Sequence, residues 1–207
     1  MQKALAIGAA AAVAIVVGGT AAFVLTQGPD DAFADCRTSQ IAGGTSAIGG
    51  PFELLNGRGE TVTDAEVITK PSIVYFGYTF CPDVCPFDTV RNAEAVDILT
   101  ERGYDIQPVF ISIDPARDTP EVVDEFAKNV HPDMIGLTGS PEQVKAASQA
   151  YRTYYKKNES DDPDWYLVDH STFSYLVTPE DGFLEFFRRE LSPEQMADGI
   201  QCFLDRK

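Results

Sequence analysis

Two cysteines with three residues between them stand in Phe80-Cys81-Pro82-Asp83-Val84-Cys85-Pro86. Residues four apart on a helical turn share a face, so both sulfurs can aim at one point. Thiolates in such a pair can exchange disulfides or hold a soft metal such as Cu(I) or zinc. Both chemistries need the ionised sulfur, which a helix N-terminus favours. Pro86 suits a first helical turn, where no amide donor is required. The preceding run Ser72-Ile73-Val74-Tyr75-Phe76-Gly77-Tyr78 is β-branched and aromatic and reads as a buried strand. The pair therefore falls at a strand-to-helix junction.

Two sulfurs are too few for a closed metal site, so a third donor must come from elsewhere. The chain has two histidines, His131 and His170. His131 follows an amphipathic stretch and precedes Pro132, which fits a solvent-exposed helix end. His170 ends an apolar stretch and introduces a strand expected beside the cysteine strand. By position alone it reads as a hydrogen-bonding group at a strand end sooner than as a ligand. Two sulfurs and one nitrogen suit copper better than structural zinc, which prefers four ligands. Met134 and Met196 read as packing residues.

The elements that must position these residues follow from patterning. Phe52–Leu55 and Glu60–Thr63 flank Asn56-Gly57-Arg58-Gly59 as a hairpin. The cysteine turn opens a helix that Gly103 stops near Arg102. Pro108–Asp114 is a second buried strand, and the loop Asp114–Asp118 leads to a helix capped by Thr119 with Pro120 at its first position. Asp114 and Asp118 are expected to shape that loop. Ser140-Pro141-Glu142-Gln143 and Ser192-Pro193-Glu194-Gln195 are capping boxes. The first opens a helix with Val144, Ser148, Tyr151 and Tyr155 on one side. Lys156–Asp164 reads as a polar loop; Tyr166–His170, Thr172–Thr178 and Phe183–Phe187 read as strands. Strands alternating with helices predict an α/β domain with a mostly parallel sheet covered on both faces and a C-terminal antiparallel pair. A cysteine pair after the first central strand fits a thioredoxin-like fold, whose sites lie beyond the carboxyl ends of strands.

Residues 4–26 carry no charge and are rich in Ala, Val and Ile, long enough for a single transmembrane helix. Lys3 before it and Asp30, Asp31 and Asp35 after it place the N-terminus in the cytoplasm and the rest outside. Ala32-Phe33-Ala34 resembles a signal-peptide cleavage site, which leaves retention or cleavage open. No Arg- and Ser-rich transit peptide precedes the segment, so a bacterial inner membrane with the domain in the periplasm is expected. The expected organisation is an anchor over 1–26, a flexible linker over 27–50 and the domain over 51–207. The formal charge is −16; the first 26 residues contribute only the +1 of Lys3, which leaves −17 for the rest. That balance excludes nucleic acid as a partner. Cys36 and Cys202 are a disulfide staple between the domain's ends or two unrelated cysteines.

Tyr75–Pro86 as a whole resembles the signature of the Sco/SenC copper chaperones. Phe110-Ile111-Ser112-Ile113-Asp114-Pro115-Ala116-Arg117-Asp118-Thr119-Pro120 and Val168-Asp169-His170-Ser171-Thr172 continue the resemblance, which spans about residues 50–205 and the anchor. It implies a thioredoxin-like fold and copper, Cu(I) or Cu(II), bound by Cys81, Cys85 and His170. It further implies delivery to the CuA centre of cytochrome c oxidase subunit II. Other copper chaperones or thioredoxin-like reductants are possible further partners. Asp83 and Asp169 are outer-shell candidates, Asp169 orienting His170 and Asp83 alternatively stabilising a turn. A metallochaperone rather than an enzyme is expected. The alternatives are a thiol–disulfide oxidoreductase that reduces the CuA-site cysteines and a copper or redox sensor. Peroxidase chemistry ranks low because no peroxide motif is present. Against the oxidoreductase stand the three-residue gap and His170-Ser171-Thr172, where such enzymes place a proline.

Overall fold

A computed structural model describes residues 32–39, 44–162 and 165–206. The expected anchor, 4–26, lies outside the described residues, among which no helix is long and apolar enough to cross a membrane. Cys36–Lys207 forms one compact unit.

Its centre is a five-stranded sheet. β1 (Glu53–Leu55) and β2 (Thr61–Thr63) form the expected hairpin, followed by the short α1 (Asp64–Val67). β3 (Ser72–Gly77) is buried at every position, as its β-branched and aromatic sequence requires. Then come α2 (Val84–Glu101), β4 (Gln107–Ser112), α3 (Pro120–Val130), β5 (Ile135–Leu137) and α4 (Pro141–Ala150). β6 (Tyr155–Lys157) and β7 (Val168–His170) pair as a small separate ribbon. β8 (Ser174–Thr178), β9 (Gly182–Phe187) and α5 (Pro193–Leu204) complete the chain. The sheet order is β5-β4-β3-β8-β9. This is a thioredoxin-like arrangement with an added hairpin.

The sheet is mixed, not mostly parallel. β3–β4 and β4–β5 are parallel, whereas β3–β8 and β8–β9 are antiparallel. The β8–β9 pair is the expected C-terminal antiparallel pair, and the missed direction of β3–β8 has a simple origin. Strands buried on both faces read as apolar runs whichever way they pair, so periodicity does not reveal direction. β5 and β6 also escaped the pattern, each only three residues long. At β5, Gly136 lies so close to α3 that a Cβ there would meet the Val123 carbonyl oxygen at 2.5 Å. α4 ends at Ala150, so Tyr151 caps it and Tyr155 starts β6, where a longer helix was expected.

Neighbouring residues of β3 serve opposite faces, as strand alternation demands. Tyr75 stacks on Phe110, whose ring meets Phe126 of α3 at 4.8 Å. Phe76 points the other way, 5.3 Å from the Tyr151 ring after α4 and 6.0 Å from Tyr175. The helix starts follow the sequence signals. Thr119, Ser140 and Ser192 accept from Val122, Gln143 and Gln195 N–H, each with a proline at the start of its helix. Met134 and Met196 are buried in the packing, as expected.

Cys36 and Cys202 form a disulfide with 5.6 Å between their Cα atoms. The chain beside it is held as well. The Arg37 guanidinium donates to the Leu184 carbonyl, and the buried Glu185 carboxylate accepts from the Thr38 and Ser39 N–H groups at 3.0 and 3.3 Å. Ile48 packs against the core. Parts of the stretch read as flexible linker, 36–39 and 44–50, thus lie on the domain. Polar composition concealed this, because the fixing groups are a disulfide and one buried carboxylate far away in sequence. Cross-linking residues 166 positions apart restricts the unfolded chain strongly. The double variant Cys36→Ser/Cys202→Ser should unfold at lower denaturant, losing about 2–4 kcal/mol under non-reducing conditions. An unchanged midpoint would show the bond to be energetically idle.

Candidate metal centre

The loop after β3 is tied from beneath. Asp118 is buried, and its carboxylate accepts from Thr79 N–H at 3.0 Å and from the Thr79 and Ser112 hydroxyls at 2.5 Å. Burial pushes its carboxyl pKa up, and these hydrogen bonds oppose the shift. Asp114 accepts from Tyr166 Oη at 2.6 Å and from Arg117 Nε at 2.5 Å. Both aspartates shape the loop as expected, and Asp118 also fixes Thr79, two residues before Cys81.

Cys81 N–H donates to the Tyr78 carbonyl at 3.3 Å. Cys85 lies in the first turn of α2, and its N–H donates to Cys81 Sγ at 3.4 Å. Both are free thiols, buried from solvent. A hydrogen bond from Cys85 holds the Cys81 thiol well below its ordinary pKa. The backbone N–H groups of Cys85 and Asp83 assist, and burial opposes. The Cys85 thiol is pushed up, first by its bond to Cys81 and then by burial. The pair thus favours the thiolate at Cys81 over the one at Cys85.

β7 delivers His170. Its Nδ1 lies 2.8 Å from the Ser171 carbonyl oxygen, which can only accept. Nδ1 therefore carries the proton, and Nε2 presents a lone pair 3.2 Å from Cys85 Sγ. An imidazole that ligates a metal through Nε2 needs this tautomer. The Tyr78 and Tyr75 rings meet the imidazole edge-on at 5.9 and 6.3 Å and set its plane. The two sulfurs and a ring nitrogen lie within 4.8 Å of one another, the one such donor cluster among the described residues. Two soft sulfurs and one imidazole form a donor set that fits copper.

Gly77 makes this convergence possible. A Cβ there would stand 2.9 Å from the Tyr75 ring, 3.0 Å from the Phe110 ring and 3.1 Å from Cys85 Sγ. Gly77, Tyr75, Tyr78 and the Ser171 carbonyl are site residues that sequence reasoning missed. A glycine inside a buried strand was the available signal, since it marks close approach.

Other candidates stand apart. Asp169 faces away from the site, exposed, and accepts from Asn158 Nδ2 at 3.0 Å. It alternates with His170 along β7, so it does not orient the ring; the Ser171 carbonyl does. The Asp83 side chain is exposed and caps no helix turn; its contribution is the backbone N–H toward Cys81. His131 does end α3, but it is buried, with Nε2 3.2 Å from Asp97 Oδ1 and Nδ1 accepting from Asp133 N–H.

The sequence pattern of the SCO1/SenC family matches residues 41–205. The chain belongs to the SCO1/SenC family. Protein SenC of Rhodobacter capsulatus is 56% identical over 205 residues, covering 99% of this chain and 91% of that protein. The mitochondrial SCO1 homolog 1 of Arabidopsis thaliana is 47% identical over 158 residues, 76% of this chain and 47% of that protein. Among solved structures, Arabidopsis thaliana ScoI with copper bound superposes with a TM-score of 0.73 at 45% identity, covering 77% of this chain and 99% of that one. Bradyrhizobium japonicum ScoI with copper bound gives 0.67 at 35% identity, covering 75% and 98%. Solved members of this family thus hold copper, and this member carries a Cys–Cys–His group able to hold a metal.

The asymmetry of the sulfurs is measurable. In the reduced, metal-free protein, alkylation of Cys81 should stay nearly flat from about pH 8 down to pH 5, since its thiolate persists there. Cys85→Ala removes the main cause of that depression and should restore a steep fall with decreasing pH. A wild-type rate that falls about tenfold per pH unit below pH 8 would contradict the assignment.

Proposed function

We propose that this protein is a membrane-tethered copper metallochaperone. Cys81, Cys85 and His170 hold one copper ion, and the cargo serves the CuA centre of cytochrome c oxidase subunit II. The observation that carries the reading is the convergence of two sulfurs and a histidine ring nitrogen within 4.8 Å. Family membership and the copper held by solved relatives support it. The sulfurs bind as thiolates. With both ionised, Cu(II) leaves a neutral group and Cu(I) an anionic one, so backbone N–H groups at the start of α2 bear on the balance between the two states.

The uncharged segment 4–26 supports a single-pass anchor in a bacterial inner membrane, with the domain in the periplasm. The Cys36–Cys202 disulfide is in keeping with such an oxidising compartment. Other copper chaperones or thioredoxin-like reductants are the further partners of this reading, because Cys81 and Cys85 must be reduced before they can bind through both sulfurs.

A second reading has its own observation. A depressed Cys81 pKa beside a raised Cys85 pKa also suits a thiol–disulfide oxidoreductase that reduces the CuA-site cysteines. Copper titration separates the two. The reduced wild type should take up one equivalent, and His170→Ala should weaken binding by at least about 10–100-fold, the effect that losing even an outer partner of a metal site produces. Absence of stoichiometric binding, or a variant that binds as tightly, would remove His170 from the ligand set. The oxidoreductase reading expects disulfide-reductase turnover that survives His170→Ala.

A further inference from the structure

The exposed large apolar side chains of this domain are concentrated around the donor cluster. Phe80 (55% exposed) directly precedes Cys81, and Phe87 (71%) and Val90 follow Cys85 on α2. Trp165 (79%) and Leu167 lead into the strand that ends in His170. Tyr154 is held to Ser171 by two hydrogen bonds, its carbonyl accepting at 2.9 Å and its N–H donating at 3.1 Å. Of the other described large apolar side chains, Val122 alone is comparably exposed. Leaving aromatic surface in water is unfavourable, and its confinement to one rim calls for a function.

Part of the rim is shaped. A groove of about 330 Å³ runs beside Cys81, lined by Phe80, Pro82, Arg117, Trp165, Tyr166 and Leu167. Its floor is stiff. The Arg117 guanidinium lies 3.6 Å from the Tyr166 ring centroid and 5.0 Å from that of Phe80, and Asp114 holds it from behind. Groups fixed in this way lose little freedom on binding. Acids stand close to the groove: the exposed Glu159 lines it, and the exposed Asp83 and Asp161 directly follow the lining residues Pro82 and Ser160 in sequence. Lys156, Lys157 and the groove's own Arg117 are the nearby cations, and Lys157 sits over the Tyr166 ring at 3.5 Å.

We propose that this rim is the docking surface for the protein that exchanges copper with the site, and that the groove receives one large apolar side chain flanked by lysine or arginine. The inference rests on the copper-chaperone reading. Two observations select this occupant. The donors are buried, so a ligand-exchanging thiolate can approach them only from a protein seated on the rim. The acidic border disfavours an anionic membrane surface, where aromatic anchors come with basic neighbours. It also disfavours a second copy of this chain, since identical acidic borders would repel each other.

The test uses the full-length chain in detergent with the reduced, metal-free soluble domain of oxidase subunit II as probe. Copper uptake by the chain alone is measured on the same samples. Phe87→Ser/Trp165→Ser should leave copper uptake unchanged and weaken binding to the probe at least about tenfold, as loss of aromatic anchors does. Glu159→Lys/Asp161→Lys should slow association, with the wild-type rate falling as salt rises. Failure of the wild type to take up copper would refute the chaperone reading and leave the docking result to be read separately. The docking proposal is overturned if the wild type does not bind the probe, or if the aromatic double variant binds within about twofold of it. It is also overturned if the aromatic variant instead loses adsorption to phosphatidylcholine–phosphatidylglycerol vesicles or loses self-association.

Discussion

The antiparallel ladder between β3 and β8 sets where His170 can be. Its register puts Tyr75 opposite Ser174, so the chain four residues upstream of Ser174 passes beyond the carboxyl end of β3, over the cysteine turn. A slip of one residue would send every side chain of β8 to the other face. Side chains from α2 lock the register. Ser174 Oγ lies 2.9 Å from both Asn92 Oδ1 and Arg91 Nη2. One helix thus carries Cys85 at its start and, two turns later, the residues that fix the strand following His170.

The same helix manages charge behind the site. Tyr75 donates to the buried Asp88 at 2.9 Å, and the Arg91 guanidinium approaches that carboxylate at 3.8 Å. Burial pushes the Asp88 carboxyl up, while Tyr75 and Arg91 oppose that shift. Arg91 in turn donates to the Arg188 carbonyl at 3.1 Å. The network therefore joins the centre's aromatic floor to the end of β9, with Arg91 Nε its one buried side-chain nitrogen left without a partner among the described residues. The four cysteines divide their labour by position: Cys36 and Cys202 are joined, while Cys81 and Cys85 stay free.

Much of this was legible in the sequence because local signals and global fold agree. The apolar runs of β3 and β4 and the capping residues Thr119, Ser140 and Ser192 announce their elements, and the cysteine spacing announces the junction. What escaped depends on contacts between distant residues. Strand direction is absent from a doubly buried run, and three-residue strands such as β5 leave no period to read. The partner of His170 Nδ1 is a main-chain carbonyl, which no side-chain pattern encodes, so Asp169 attracted a role it does not have. His131 looked exposed because its partner Asp97 lies 34 residues earlier. The sulfur asymmetry emerges only once Cys81 and Cys85 share a proton in a buried turn.

On the proposed reading, two sulfurs and one nitrogen hold the copper. An X-ray absorption spectrum of the copper-loaded, full-length protein counts those scatterers directly. The predicted first shell holds two sulfurs and one imidazole nitrogen, and the imidazole signature disappears in His170→Ala. A wild-type shell of sulfur alone, or one that His170→Ala leaves unchanged, would contradict it.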